Sequence, residues 1–68
     1  MFDVKKFNAA IALKGETQKD AAKIMGINQA TLYRKVNGIS DFYRKEIDLF
    51  CAHYEASANE IFFADHVS

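Results

Sequence analysis

An all-α protein of five short helices is the fold class this sequence predicts, on three observations. Proline is absent from its 68 residues, no run alternates apolar and polar β-branched residues, and apolar side chains recur at spacings of three and four between residues that cap helices. Half the residues are hydrophobic and six are Phe, enough for one small core near the lower size at which a chain folds without staples. A single domain over residues 1–68 is therefore expected.

Taken in order, Asp3 is placed to cap a first helix of about a dozen residues. Val4, Phe7 and Ile11 fall at helical spacing on its inner stripe, with Ala10 and Leu13 alongside, while Lys5, Lys6 and Asn8 face out. Gly15 closes it. Thr17 caps a second helix, Asp20 favours the positive end of its dipole, and Ala21, Ala22, Ile24 and Met25 give it a compact apolar face. Gly26-Ile27-Asn28 is a tight turn, with glycine suited to a left-handed helix end and Asn28 to the next cap. A third helix then runs from Gln29 to Asn37 and stops at Gly38, with Leu32 and Val36 inward and Ile27 beside them.

Beyond it, Ser40 and Asp41 are expected to cap a fourth helix from Phe42 to roughly Ala56, whose stripe is Ile47, Phe50, Cys51 and Tyr54. Ser57 and Glu60 form a capping box, S-A-N-E, that opens a last short helix. Ile61 and one of Phe62 and Phe63 are expected to complete the core; the other ring, with Val67, is either left exposed for a dimer contact or tucked with its neighbour against Phe2 or Phe7.

The third helix carries the functional signal. Its outer surface is Gln29, Ala30, Tyr33, Arg34 and Lys35, side chains that hydrogen-bond to base edges or phosphates plus one small methyl, with no acid among them. A merely solvated helix face would mix in glutamates.

Across residues 17–38 the pattern T-Q-x-x-x-A-x-x-x-G-I-x-x-x-T-L-x-R-x-x-N-G is met by Thr17, Gln18, Ala22, Gly26, Ile27, Thr31, Leu32, Arg34, Asn37 and Gly38. It resembles the helix-turn-helix of the Cro/C1 repressor family of bacteriophages and bacterial regulators. The resemblance implies a compact five-helix lambda-repressor-like domain that binds operator DNA, as a homodimer at least on DNA, with helix 29–37 in the major groove. It implies base contacts from Gln29, Ala30, Tyr33 and Arg34. Phosphate contacts fall to Gln18, Asn28, Lys35, Arg44 and Lys45, joined by main-chain N–H groups near Asn37 and Gly38. Many members carry an apolar residue where Lys35 stands, so Val36 is expected to take the inward place. With no second domain in view, the chain is closer to a Cro-type regulator than to a full-length lysogeny repressor. The same fold also serves as an antitoxin or modulator, in which case Ile61, Phe62 and Phe63 would meet a protein partner.

Charge and composition narrow the alternatives. Net charge is zero, yet residues 1–40 hold seven cations against three acids, whereas residues 41–68 hold two against six. Such a dipolar chain presents one basic face to DNA and keeps its acidic end away from phosphates. Arg44 and Lys45 lie in a first helical turn, against the dipole preference, which a DNA phosphate would offset. One cysteine excludes an internal disulfide, and Cys51, His53 and His66 make no metal-ligand set, so no metal or cofactor is expected. Cys51 is read as core, the two histidines as surface, and Tyr43 and Tyr54 fit either core or rim. There is no glycine-rich phosphate loop or paired-carboxylate motif, and an enzyme is not predicted. No signal peptide or apolar run of membrane length is apparent, which predicts a cytoplasmic protein.

Overall fold

Five α-helices and no strand make up residues 1–64, the part of the chain that the computed structural model describes: α1 (Val4–Leu13), α2 (Gln18–Met25), α3 (Gln29–Val36), α4 (Arg44–Tyr54) and α5 (Ala58–Ile61). Val67 and His66 lie outside the described residues. Each start has a local cause. Asp3 accepts from the Lys6 N–H, Thr17 and Asp20 form a reciprocal capping box, Asn28 accepts from the Thr31 N–H at 2.7 Å, and Ser57 accepts from the Glu60 N–H. These bonds satisfy donors that the first turn of a helix leaves without an intrahelical partner.

A glycine corner ends α2. Gly26 adopts φ 75°, and its N–H and that of Ile27 donate to the carbonyls of Lys23 and Ala22 at 3.1 and 3.0 Å, the two bonds of a Schellman turn. The expected corner is therefore present. At the other end of α3, Gly38 at φ 77° repeats the device, with Gly38 N–H donating to Lys35 O and Ile39 N–H to Arg34 O.

Helix α4 begins later than expected. Phe42 precedes it as a partly buried core residue, Tyr43 is the cap position, and neither Ser40 nor Asp41 supplies the capping side chain. That role falls to Glu46, whose carboxylate accepts the Tyr43 N–H at 2.9 Å.

A cluster of aromatic rings sits in the core. Phe7 of α1 stacks on Phe50 of α4 at 4.6 Å, and Phe62 stands edge-on to Phe50 and Phe42 at 5.5 and 5.0 Å. Ala21 and Ala22 let α2 approach α4 closely, and Met25, Leu32, Ile47, Tyr54 and Ile61 fill the remainder. The Asp3 N–H donates to the Ile61 carbonyl at 2.7 Å and ties the start of the chain to α5. Leu13 departs from expectation at 88% exposure: two residues beyond Ile11, it lies about 200° round the helix from the buried stripe.

Candidate nucleic-acid interface

Helix α3 divides cleanly into two sides. Gln29 and Tyr33 are four apart, as are Ala30 and Arg34, so the four stack along one surface, and all four are exposed, Tyr33 at 65%. Leu32 is buried on the opposite side, with Ile27 and Val36 packed partly against the core. Arg34 is steadied by a hydrogen bond from its Nη2 to Thr31 Oγ1 at 3.3 Å. The exposed side thus presents an amide, a methyl, a phenol and a guanidinium with no carboxylate among them. Those groups supply donors and acceptors for base edges and a small contact for a thymine methyl.

Lys35 is a correction to the sequence expectation. Instead of facing out toward a phosphate it is 5% exposed, and its Nζ lies 2.8 Å from Glu46 Oε1, 3.2 Å from Glu46 Oε2 and 2.9 Å from the Asp41 carbonyl. The Tyr43 ring covers it, with Nζ 3.9 Å from the centroid. It stands three residues after Leu32 on the inner side, and Glu46 and a carbonyl absorb its charge. Val36 is only partly buried and does not replace it.

The main-chain donors expected near Asn37 and Gly38 are also committed elsewhere. The N–H groups of Asn37, Gly38, Ile39 and Ser40 all donate to carbonyls of α3, from Tyr33, Lys35, Arg34 and Arg34 in turn. The Asn37 side chain donates to Tyr33 O at 2.7 Å. The left-handed turn that stops α3 folds these donors back onto the helix, away from an external phosphate.

Gln18 occupies the first position of α2, as expected, and its Nε2 donates to Asn8 Oδ1 at 2.7 Å, linking α1 to α2. Asn28 is exposed while its Oδ1 caps α3. Arg44 and Lys45 are exposed at the start of α4, the Arg44 side chain at 88%, and the dipole mismatch is offset within the protein. Glu46 stands in the same turn, and Asp48 Oδ1 lies 3.5 Å from Arg44 Nε. At that exposure the Arg44–Asp48 pair is weak enough to exchange for another anion.

Lys19 and Lys23, not picked out from the sequence as contacts, lie beside these residues. Both are exposed on α2 and line a shallow depression of about 170 Å³ with Asn28 and Gln29, at the start of α3. Their spacing of four was the available signal: it sets them on one side of the helix before the turn.

Away from α3, two expectations change. His53 is half-buried, with Nε2 3.1 Å from Glu16 Oε2, and the Tyr54 hydroxyl donates to Glu16 Oε1 at 2.9 Å. Of the three residues expected to meet a protein partner, Ile61 and Phe62 are buried in the core, where Phe62 stands edge-on to Phe50. Only Phe63 is exposed, at 57%, where it lines an open depression of about 480 Å³ with Met1, Phe2, Phe42 and Phe62. Cys51 is partly buried, and burial first, then the nearby Asp48 carboxylate, push its thiol pKa up, toward the unreactive form. Among the described residues no group of three His, Cys, Asp or Glu is placed to hold a metal ion, and no helix is long and apolar enough to cross a membrane.

Comparison of the chain with protein-family models, with curated proteins and with solved structures finds no match.

Proposed function

We propose that this chain is a sequence-specific DNA-binding regulator of the Cro-like repressor type, in which α2, the Gly26 corner and α3 act as a helix-turn-helix of a lambda-repressor-like domain. The observation that carries it is the two-sided character of α3: Gln29, Ala30, Tyr33 and Arg34 exposed together, with Leu32 and Lys35 holding the opposite side inside. With α3 in the major groove, Gln29 pairs with adenine, Ala30 meets a thymine methyl, Arg34 pairs with guanine, and Tyr33 reads a base or a phosphate. Asn28, Arg44 and Lys45 hold the backbone, with Lys19 and Lys23 added by their place beside Gln29. Gln18 contributes where its bond to Asn8 opens.

One such module covers a small area and the chain has no net charge, so regulation requires two copies on a two-fold site. The test is selection from random duplexes at low salt, followed by titration of the enriched site. Enrichment of an inverted repeat supports the proposal, and retention of no duplex rejects it. A second function, binding to a protein partner, draws on Phe63 and Met1, both exposed at the edge of one apolar depression. Pull-downs with wild type and Phe63→Ser separate it from DNA binding, since Phe63 lies outside the α3 surface.

A further inference from the structure

A lysine and a glutamate buried against each other contribute little net stability, because desolvation cancels most of their attraction and a well-packed apolar pair of the same size does as well. What such a pair supplies is direction. Glu46 accepts from Lys35 Nζ and from the Tyr43 N–H, while Lys35 donates in addition to the Asp41 carbonyl. Three segments therefore meet at one carboxylate: the last turn of α3, the link before α4, and the first turn of α4. Helix α4 packs mainly on α2, and no residue of the link offers a capping side chain. Arg44 and Lys45 immediately precede Glu46, so the point that holds Glu46 also sets where these two exposed cations stand relative to α3.

We propose that Lys35 and Glu46 are positioning residues that keep the basic start of α4 in register with α3, so that Arg44 and Lys45 reach the DNA backbone while α3 reads the bases. This rests on the DNA-binding function proposed above. Neither residue touches DNA. Each acts through Arg44 and Lys45.

The test is the double variant Lys35→Met/Glu46→Leu, which removes both charges and leaves no unpaired one behind. Its fold is checked by circular dichroism. Two measurements follow on the full chain: amide hydrogen exchange, and affinity for a duplex across a salt series. The expected result is faster exchange at Tyr43 and the first turn of α4 with α1 unchanged. The slope of log K against log salt falls by up to about 2, since each lost phosphate contact removes about 0.9. Adding Arg44→Ala and Lys45→Ala lowers the slope in the wild-type background and leaves it unchanged in the double variant. A pair with a merely structural role changes stability but not this slope. An unchanged slope, with or without faster exchange, overturns the proposal. Wild type that binds no duplex overturns the DNA-binding function itself, a distinct outcome. Should the double variant fail to fold, Lys35→Met/Glu46→Gln also leaves no unpaired charge and keeps an acceptor for the Tyr43 N–H, and the same slope is read, with a smaller fall expected.

Discussion

Glu16 and Tyr54 stand 38 residues apart in sequence and 2.9 Å apart in the fold, the phenol hydroxyl donating to the carboxylate. His53 completes the group from the same helix, with Nε2 3.1 Å from the other carboxylate oxygen. The hydrogen bond with His53, then that from Tyr54, hold the Glu16 pKa below its ordinary value of 4.5. A carboxylate whose folded pKa is lowered stabilises the fold above its unfolded value and loses that contribution as pH falls through the folded one. Wild type should therefore lose stability below about pH 4.5, and Glu16→Gln should lose less over the same interval. Urea midpoints measured from pH 6 down to pH 3 check this, and parallel curves for the two proteins would contradict it. At the alkaline end the sign reverses. Burial, then the bond to Glu16, push the Tyr54 pKa above its ordinary value of 10.0, so its contribution is intact below pH 10 and declines above it.

Alanine at Gln29 or at Arg34 should weaken binding to the selected site by about 1–3 kcal/mol and relax preference at one base position. Affinity for random duplex should change far less for Gln29→Ala, which carries no charge. Lys19→Ala and Lys23→Ala should lower affinity for every sequence alike and reduce the salt slope by about 1 each. Gel-shift titration on matched and scrambled sites distinguishes these patterns, and equal loss on both sites for Gln29→Ala would count against base reading.

Thr17 holds the start of α2 from both directions, its N–H donating to Asp20 Oδ2 at 2.9 Å and its Oγ1 accepting from the Asp20 N–H. Thr17→Ala should cost about 1 kcal/mol. For a chain of this size that corresponds to a fall in Tm of about 4–8 °C, readable by thermal melting.

Glu55 is a non-glycine residue with φ above zero, at 54°, where it ends α4. A side chain there costs about 1–2 kcal/mol, part of which glycine relieves. Glu55→Gly should thus raise Tm by a few degrees. Gly26→Ala should lower it by a similar amount, and through strain alone: an added Cβ at Gly26 would meet nothing within 4 Å. A rise for the first and a fall for the second in the same melting assay is the expected pair of signs.

Most of the helical framework was legible because its causes are local. Asp3, Thr17, Asn28 and Ser57 each cap a helix through a bond spanning three residues, and a glycine after α2 has the same meaning wherever the chain goes next. Most of the outward surface of α3 was legible for the same reason: Gln29, Ala30, Tyr33 and Arg34 follow helical period and Leu32 marks the inside, whereas Lys35, read as part of that surface, is buried. Helix α4 was misplaced by two residues because its cap comes from Glu46, inside the helix, a less visible signal than a serine or aspartate ahead of it.

The local order of the residues was enough to specify five helices, the glycine corner and most of the surface of α3, since each depends on contacts within about one turn. Folding in three dimensions settled the fate of the charges. A lysine in sequence is a cation with no stated partner. Helical period sets Lys35 on the inner side of α3, but that Glu46 meets it there, and that Glu16 gains His53 and Tyr54, depends on which segments packing brings together. Those encounters span 11, 37 and 38 residues. No helical period reaches that far, because the geometry of a single helix says nothing about what lies across the core.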